Sequence, residues 1–221
     1  YIWDVSPAIH DARISVGLDV KRSASVIMVP NALFPKQMTH LAPSQRKKYS
    51  LVFVGTLGPE NGPDLAIGAM PFILKRLPNV VLHIFGGGLH EKELKQLVTD
   101  LQLKKSVRFH GFISDQIKLS RRIRSFMIGL APYRAKLYSE RYYGDATKIR
   151  LYLGAGLPVI TTHVPPLGKQ LHKINAGLQV NDTKEDIANA AISLLTDNHR
   201  FKICAKNAIT FAKQNTWENS Y

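Results

Sequence analysis

Residues 142–162 read YYGDATKIRLYLGAGLPVITT, and the punctuation of this stretch decides how the chain folds. Gly144 and Asp145 make a turn, and a helix is expected from about Ala146 to about Ala155. Gly156 supplies the C-terminal stop and Pro158 the breaker. LPVITT then forms a short apolar run, the pattern of a strand buried on both faces. Turn, helix, glycine stop and buried strand together make one unit of a parallel α/β sheet.

The start of that helix carries a second message. Lys148 falls in its first turn, where the positive end of the helix dipole disfavours a cation. An anion bound there reverses the sign of that argument, recruiting the free amides and the ammonium together. Two readings stand side by side: a phosphate-binding lysine, or one that leans into solvent or pairs with Asp145.

Working outward, the same alternation repeats. Upstream lie the apolar runs LVFVG (51–55), VVLHIFGGG (80–88), VRFHGFI (107–113) and FMIGLAPY (126–133). Between them sit helical patterns: residues 63–77, with Leu65, Ala69, Phe72, Ile73 and Leu77 at helical spacing behind Pro63, then 90–103, then about 115–124. Downstream come AGLQV (176–180) and a helix from Lys184 to Leu195, introduced by Asp182 and Thr183. Residues 34–50 read as a loop entering the domain. Strands alternating with helices of this length imply right-handed crossovers and a sheet covered on both faces. Ligands in such sheets sit beyond the carboxyl ends of the strands. Four loops therefore compete for function: Gly55–Gly62, the triple glycine Gly86–Gly88, residues 109–114, and the turn at Gly144.

The bulk properties bound the rest. With 221 residues, 45% of them hydrophobic, one substantial core is expected. No run is long and apolar enough to span a bilayer, and no signal-peptide pattern opens the chain. The sequence starts at Tyr1 in the middle of an element, which predicts a piece of a larger protein. The lone Cys204 allows no internal disulfide, fits a reducing compartment and reads as buried filler. The eight histidines show no ligand spacing, so no metal site is expected, and His83 within its apolar strand reads as a core residue.

Charge points to partners. Lys and Arg number 30 against 16 Asp and Glu, a net +14. Nucleic acid, an anionic membrane face or a phosphorylated small molecule would each suit this balance. The charge is uneven: between Lys118 and Arg150 lie Lys118, Arg121, Arg122, Arg124, Arg134, Lys136, Arg141, Lys148 and Arg150, against only Glu140 and Asp145. No nucleic-acid motif is present and the aromatics do not form a stacking platform, so nucleic acid is not the expected partner.

The order VFVGTL…NG, LHIFGGG, VRFHGFIS, GLAPY and GDATKIRLYLGAGLPVITT resembles the C-terminal domain of the group 1 (family 4-like) glycosyltransferases, over roughly residues 50–195. The resemblance implies an α/β, Rossmann-like parallel sheet with helices on both faces, the C-terminal half of a GT-B fold. It divides the chain into a remnant of the N-terminal domain and linker (1–35), a nucleotide-sugar-binding domain (36–206) and a helix crossing back to the first domain (207–221). It implies a hexosyltransferase-type enzyme of polysaccharide biosynthesis, cytoplasmic or peripheral at the inner membrane face. The substrate is a nucleotide-diphosphate sugar, with no cofactor and no essential metal, and the acceptor a glycan or lipid-linked molecule held by the other domain. These residues alone are then expected to be inactive.

On that resemblance the donor contacts are Gly55 and Thr56 at the cleft floor, and Phe112 and Ile113 at the base. Gly144, the amides near Ala146 and Thr147, and the Lys148 ammonium take the diphosphate. Asp145 is expected to cap the helix or to hydrogen-bond the donor sugar. No catalytic residue is assigned, and a base, if the enzyme inverts, belongs to the other domain. The departures are as informative as the matches. An Arg and a Lys that reach the diphosphate in the family correspond here to Thr56 and Asn61. The family's two glutamates, on donor sugar and ribose, correspond to Tyr143 and Leu151. Phosphate binding moved onto Lys148 and nearby arginines is one reading of that loss. A non-catalytic, glycosyltransferase-like scaffold is the alternative, and a basic nucleic-acid-binding domain is the reading that charge alone would leave.

Overall fold

The computed structural model describes residues 2–19, 25–135 and 140–219, so Lys136 of the basic cluster lies outside the described residues. Strand β1 (Ile2–Asp4) and strand β2 (Val26–Met28) pair in parallel as a small sheet of their own, and α1 (Pro7–Ser15) follows β1. Ser6 caps α1 by accepting the Ile9 N–H, and its hydroxyl donates to the Tyr143 carbonyl.

The main body begins with β3 (Ser50–Val54), α2 (Pro63–Leu74), β4 (Val81–Phe85), α3 (Glu91–Asp100), β5 (Val107–Phe109) and α4 (Gln116–Ile123). It continues with β6 (Ile128–Ala131), α5 (Thr147–Gly154), β7 (Val159–Thr162), α6 (Pro166–Lys173), β8 (Gly177–Val180), α7 (Lys184–Thr196) and α8 (Asn198–Gln214). The six strands β3–β8 form one parallel sheet in the order β5-β4-β3-β6-β7-β8. The α/β Rossmann-like architecture expected from the sequence is the one observed.

Strand periodicity sorts the core onto the two faces. Leu51 and Phe53 of β3 join Leu82, Ile84, Leu130 and the apolar sides of α2 and α7 on one face. Val52 and Val54 point the other way, into a second cluster with Ile123, Tyr152, Leu153 and Phe211. Cys204 is buried in the first cluster, as filler should be. Because both faces are covered, the strands read as continuous apolar runs rather than alternating ones.

The boundaries follow local chemistry. Gly156 takes φ +72°, and the N–H groups of Gly156 and Leu157 close the end of α5 on the carbonyls of Leu153 and Tyr152. At the other end α5 opens at Thr147, one residue beyond the expected start, with Ala146 as its cap residue. Helix α6 goes unread in the sequence because HVPPLG looks like a loop; Pro166 in fact occupies its first turn, where a missing N–H costs nothing. Helix α8 is one unbroken element across positions 206 and 207.

Candidate functional site

The chain order of the sheet reverses next to β3. From β3 the next two strands are added on one side, and β6, β7 and β8 on the other. At such a point the loops leaving neighbouring strands diverge and open a crevice beyond their carboxyl ends. A cavity of about 410 Å³ occupies that position. Its floor is Val54, Gly55 and Thr56 after β3, with Gly86 and Gly87 after β4. One wall is Phe112 and Ile113 after β5, and the opposite wall is Thr147, Lys148 and Leu151 of α5.

Glycine is required where the floor is closely packed. Gly86 has φ +149°, and a Cβ there would lie 1.9 Å from the Gly55 carbonyl oxygen. The Gly86 N–H donates to the Gly111 carbonyl, and the Gly55 N–H to that of Phe85, which ties the three loops together. Above Gly55 lies the Lys148 ammonium: a Cβ at Gly55 would stand 2.9 Å from Nζ.

Lys148 is the electrostatic centre. Its Nζ donates to Asn61 Oδ1 at 3.2 Å. It also sits 4.5 Å from the centroid of the Phe53 ring and 4.6 Å from that of Tyr133. Burial pushes the lysine down to about 7; Arg141 lowers it further, and Glu60 partly opposes the shift. Among the described residues no carboxylate lines the cavity. The ammonium is thus held by an amide oxygen and two aromatic faces, and the Glu60 charge favours its protonated form.

Helix α5 is fixed on the sheet by Tyr152, whose buried hydroxyl accepts the Val54 N–H at 2.6 Å and donates to the Leu130 carbonyl at 3.1 Å. Gly129 leaves room for that ring, since a Cβ there would fall 2.4 Å from Tyr152 Cγ. The same ring therefore sets both the carboxyl end of β3 and the position of Lys148, one turn upstream.

Of the residues expected at the donor site, Gly55, Thr56, Phe112, Ile113, Thr147 and Lys148 line one cavity. Gly144, Asp145 and Ala146 do not line it. The cap expected of Asp145 needs correction: its carboxylate does not cap α5 but pairs with Arg150. Arg150 Nε reaches Asp145 Oδ1 and Oδ2 at 3.1 and 2.8 Å, and Nη2 reaches Oδ2 at 2.7 Å, in a pair with both side chains buried. A carboxylate engaged on both oxygens by a guanidinium has little capacity left for a cap, and α5 has no side-chain cap. Lys148 donates to Asn61 rather than pairing with Asp145.

Sequence reading named Asn61 only as a lost cation and missed Phe53 and Tyr133. Asn61 is buried, gives its oxygen to Lys148 and donates its amide to Glu60 Oε1. Leu151, where the resemblance places a ribose-binding glutamate, is an apolar wall of the cavity. His83 is buried against Phe126 and shares a hydrogen bond of 2.9 Å with His110.

Comparison with known proteins places the fold. The chain matches the family described as "Glycosyl transferases group 1" over residues 48–197. It belongs to that family. A GDP-mannose-dependent α-(1-6)-phosphatidylinositol monomannoside mannosyltransferase of Mycobacterium tuberculosis is 26% identical over 163 residues, covering 70% of this chain and 42% of the relative. Among solved structures, HepE from Anabaena in complex with UDP and glucose superposes with a TM-score of 0.77 at 21% identity, covering 97% of this chain and 58% of that one. The C-terminal domain of a group 1 family protein (LpcC) from Francisella tularensis gives 0.70 at 18% identity, covering 83% of this chain and 97% of that domain. This group 1 glycosyl transferase chain thus spans about half the length of the relatives it matches. It corresponds to nearly the whole of a relative's C-terminal domain.

Proposed function

We propose that this chain is the donor-binding half of a glycosyltransferase, holding a nucleotide-diphosphate sugar in the crevice beside β3. The observation that carries the reading is the placement of Lys148. In the family a lysine reaches the donor diphosphate from the position matched by Asn61. Here Asn61 receives an ammonium delivered from α5, so the positive charge is kept at that point while its carrier has changed. The diphosphate then meets Lys148 and the free amides at Thr147, at the positive end of the helix. The base lies toward Phe112, which is exposed, and Ile113.

As the bond between sugar and diphosphate breaks, negative charge builds on the leaving phosphate oxygen. A fixed cation and fixed amides aimed there stabilise the transition state more than the ground state. An anion at this distance also holds Lys148 in its charged form, against the burial that otherwise favours loss of the proton.

HepE is described in complex with UDP, and the Mycobacterium relative as GDP-mannose-dependent. Both uridine and guanosine diphosphates are therefore the ligands to try. A lipid-linked or glycan acceptor would be held by a first domain, with residues 1–35 as the link to it and the end of α8 crossing back. The exposed Arg121 and Arg122 of α4 are a candidate contact with an anionic membrane face, at about 1 kcal/mol for each basic group. Calorimetric titration with uridine diphosphate, guanosine diphosphate and a short oligonucleotide tests the reading. Saturable binding of one diphosphate at moderate salt is expected. Binding of the oligonucleotide alone, weakening steeply with salt, would overturn it.

A further inference from the structure

The opposite end of the sheet carries a second concentration of positive charge with no assigned use. Between residues 40–46 and α8 lies a cavity of about 630 Å³, larger than the one at the donor site. It sits at the amino ends of the strands. Arg46 precedes β3 whereas Gly55 follows it, and the length of β3 alone separates the two by about 15 Å. Gly156, just before β7, packs against the same wall, where a Cβ would meet Arg46 Nη2 at 3.0 Å.

Helix periodicity builds one side. Lys202, Lys206 and Lys213 recur at intervals of four and seven residues, so they share a face of α8, and all three line the cavity with exposed side chains. His40 stands across from them. Among the described residues no Asp or Glu lines the cavity.

Arg46 is the decisive group. It lines the cavity yet is only 4% exposed. Its Nε and Nη2 both donate to the Leu41 carbonyl, at 3.2 and 3.0 Å, and its guanidinium lies 5.8 Å from the Phe201 ring centroid. Nη1 is buried and has no acceptor among the described residues. Buried guanidinium groups are normally paired with an anion, because an uncompensated buried charge is strongly destabilising. Burial without such a partner pushes Arg46 down to about 10. His40 is lowered too, by desolvation first and then by Lys213 and Arg46.

We infer that this cavity is a second anion site, built to take a phosphate-bearing molecule between Arg46 and the Lys202, Lys206 and Lys213 face of α8. A phosphate is the chemistry that fits a guanidinium beside mobile ammonium groups. The volume accommodates a phosphorylated molecule larger than the bare ion. That phosphate belongs either to a free metabolite or to a lipid headgroup. The inference does not depend on the donor reading, since no residue is shared between the two cavities.

The test uses the full chain, with inorganic phosphate as one probe and phosphatidylcholine vesicles with or without phosphatidic acid as the other. Backbone amide shifts report the location of binding. Lys206→Glu/Lys213→Glu, at exposed positions, avoids the unfolding that loss of Arg46 could bring. Phosphate is expected to shift amides in 40–46 and 202–213, and the double variant to weaken that response about tenfold or more. Shifts at Gly55 and Gly86, in the donor cleft, should be the same in both proteins. Partition onto phosphatidic acid vesicles that the variant loses, without a response to free phosphate, assigns the site to a headgroup. A response to free phosphate without partition assigns it to a soluble ligand. Phosphate shifts confined to the donor cleft with no selective partition, or equal responses in wild type and variant, would overturn the inference.

Discussion

At the scale of single residues, Lys148 shows how much a position can mean and how little of it is local. Its place in the first turn of α5 was legible, because helix starts and stops are written in glycine and proline. The partners were not. Asn61 is 87 positions away, and Phe53 and Tyr133 meet the ammonium only once β3 and β6 lie side by side. Burial that lowers this lysine from 10.5 to about 7 makes folding stability depend on pH. Above pH 10.5 the group is neutral in both the folded and unfolded states. As pH falls toward 7 the unfolded chain takes up a proton that the folded chain resists, so stability is lost across that window. Lys148→Met is therefore expected to be more stable than wild type near pH 7 and to show a flatter dependence between about 7 and 10.5. Urea unfolding at both ends of the window checks this, and equal slopes would contradict the burial of the charge.

At the scale of elements, the strands and most of the helices were readable because both faces of a parallel sheet are buried, leaving uninterrupted apolar runs. Helix α6 was hidden by its paired prolines. The pairing of β1 with β2 was hidden by the shortness of three-residue strands. The docking of α5 rests on Tyr152, which satisfies one donor of β3 and one acceptor of β6. Tyr152→Phe leaves the Val54 N–H without its partner and should cost about 1–3 kcal/mol. Because the same contact positions Lys148, diphosphate affinity should fall as well. Denaturant midpoints and a titration on the same samples measure both effects, and a neutral substitution would show that α5 is placed by packing alone. The acid side has its own element, the His83–His110 pair between β4 and the end of β5. Burial first, then the neighbouring His110, hold His83 down at about 4. Stability should therefore decline as pH falls from 6.5 toward 4, where the unfolded chain protonates first. A His83→Phe variant should decline less over that range.

At the scale of the whole molecule, part of the positive charge behind the net +14 is gathered at two cavities. Lys148 stands in the cleft beyond the carboxyl ends of the strands, and Arg46, Lys202, Lys206 and Lys213 line a cavity at the amino ends. On the proposed reading, the cleft holds the donor and the acceptor is held by a first domain. The 221 residues alone are therefore expected to transfer no sugar, and transfer at a rate matching a two-domain protein would refute that. The central claim is that Lys148 carries the charge that holds the donor diphosphate, and one comparison tests it directly: calorimetric affinities of wild type and Lys148→Ala for a nucleoside diphosphate and for the bare nucleoside. The expected result is a loss of roughly 1.5–3 kcal/mol for the diphosphate, the range for hydrogen bonds to charged groups, with nucleoside affinity unchanged. Diphosphate affinity that stays constant while nucleoside affinity falls would contradict the account and move the phosphates toward Gly86–Gly88.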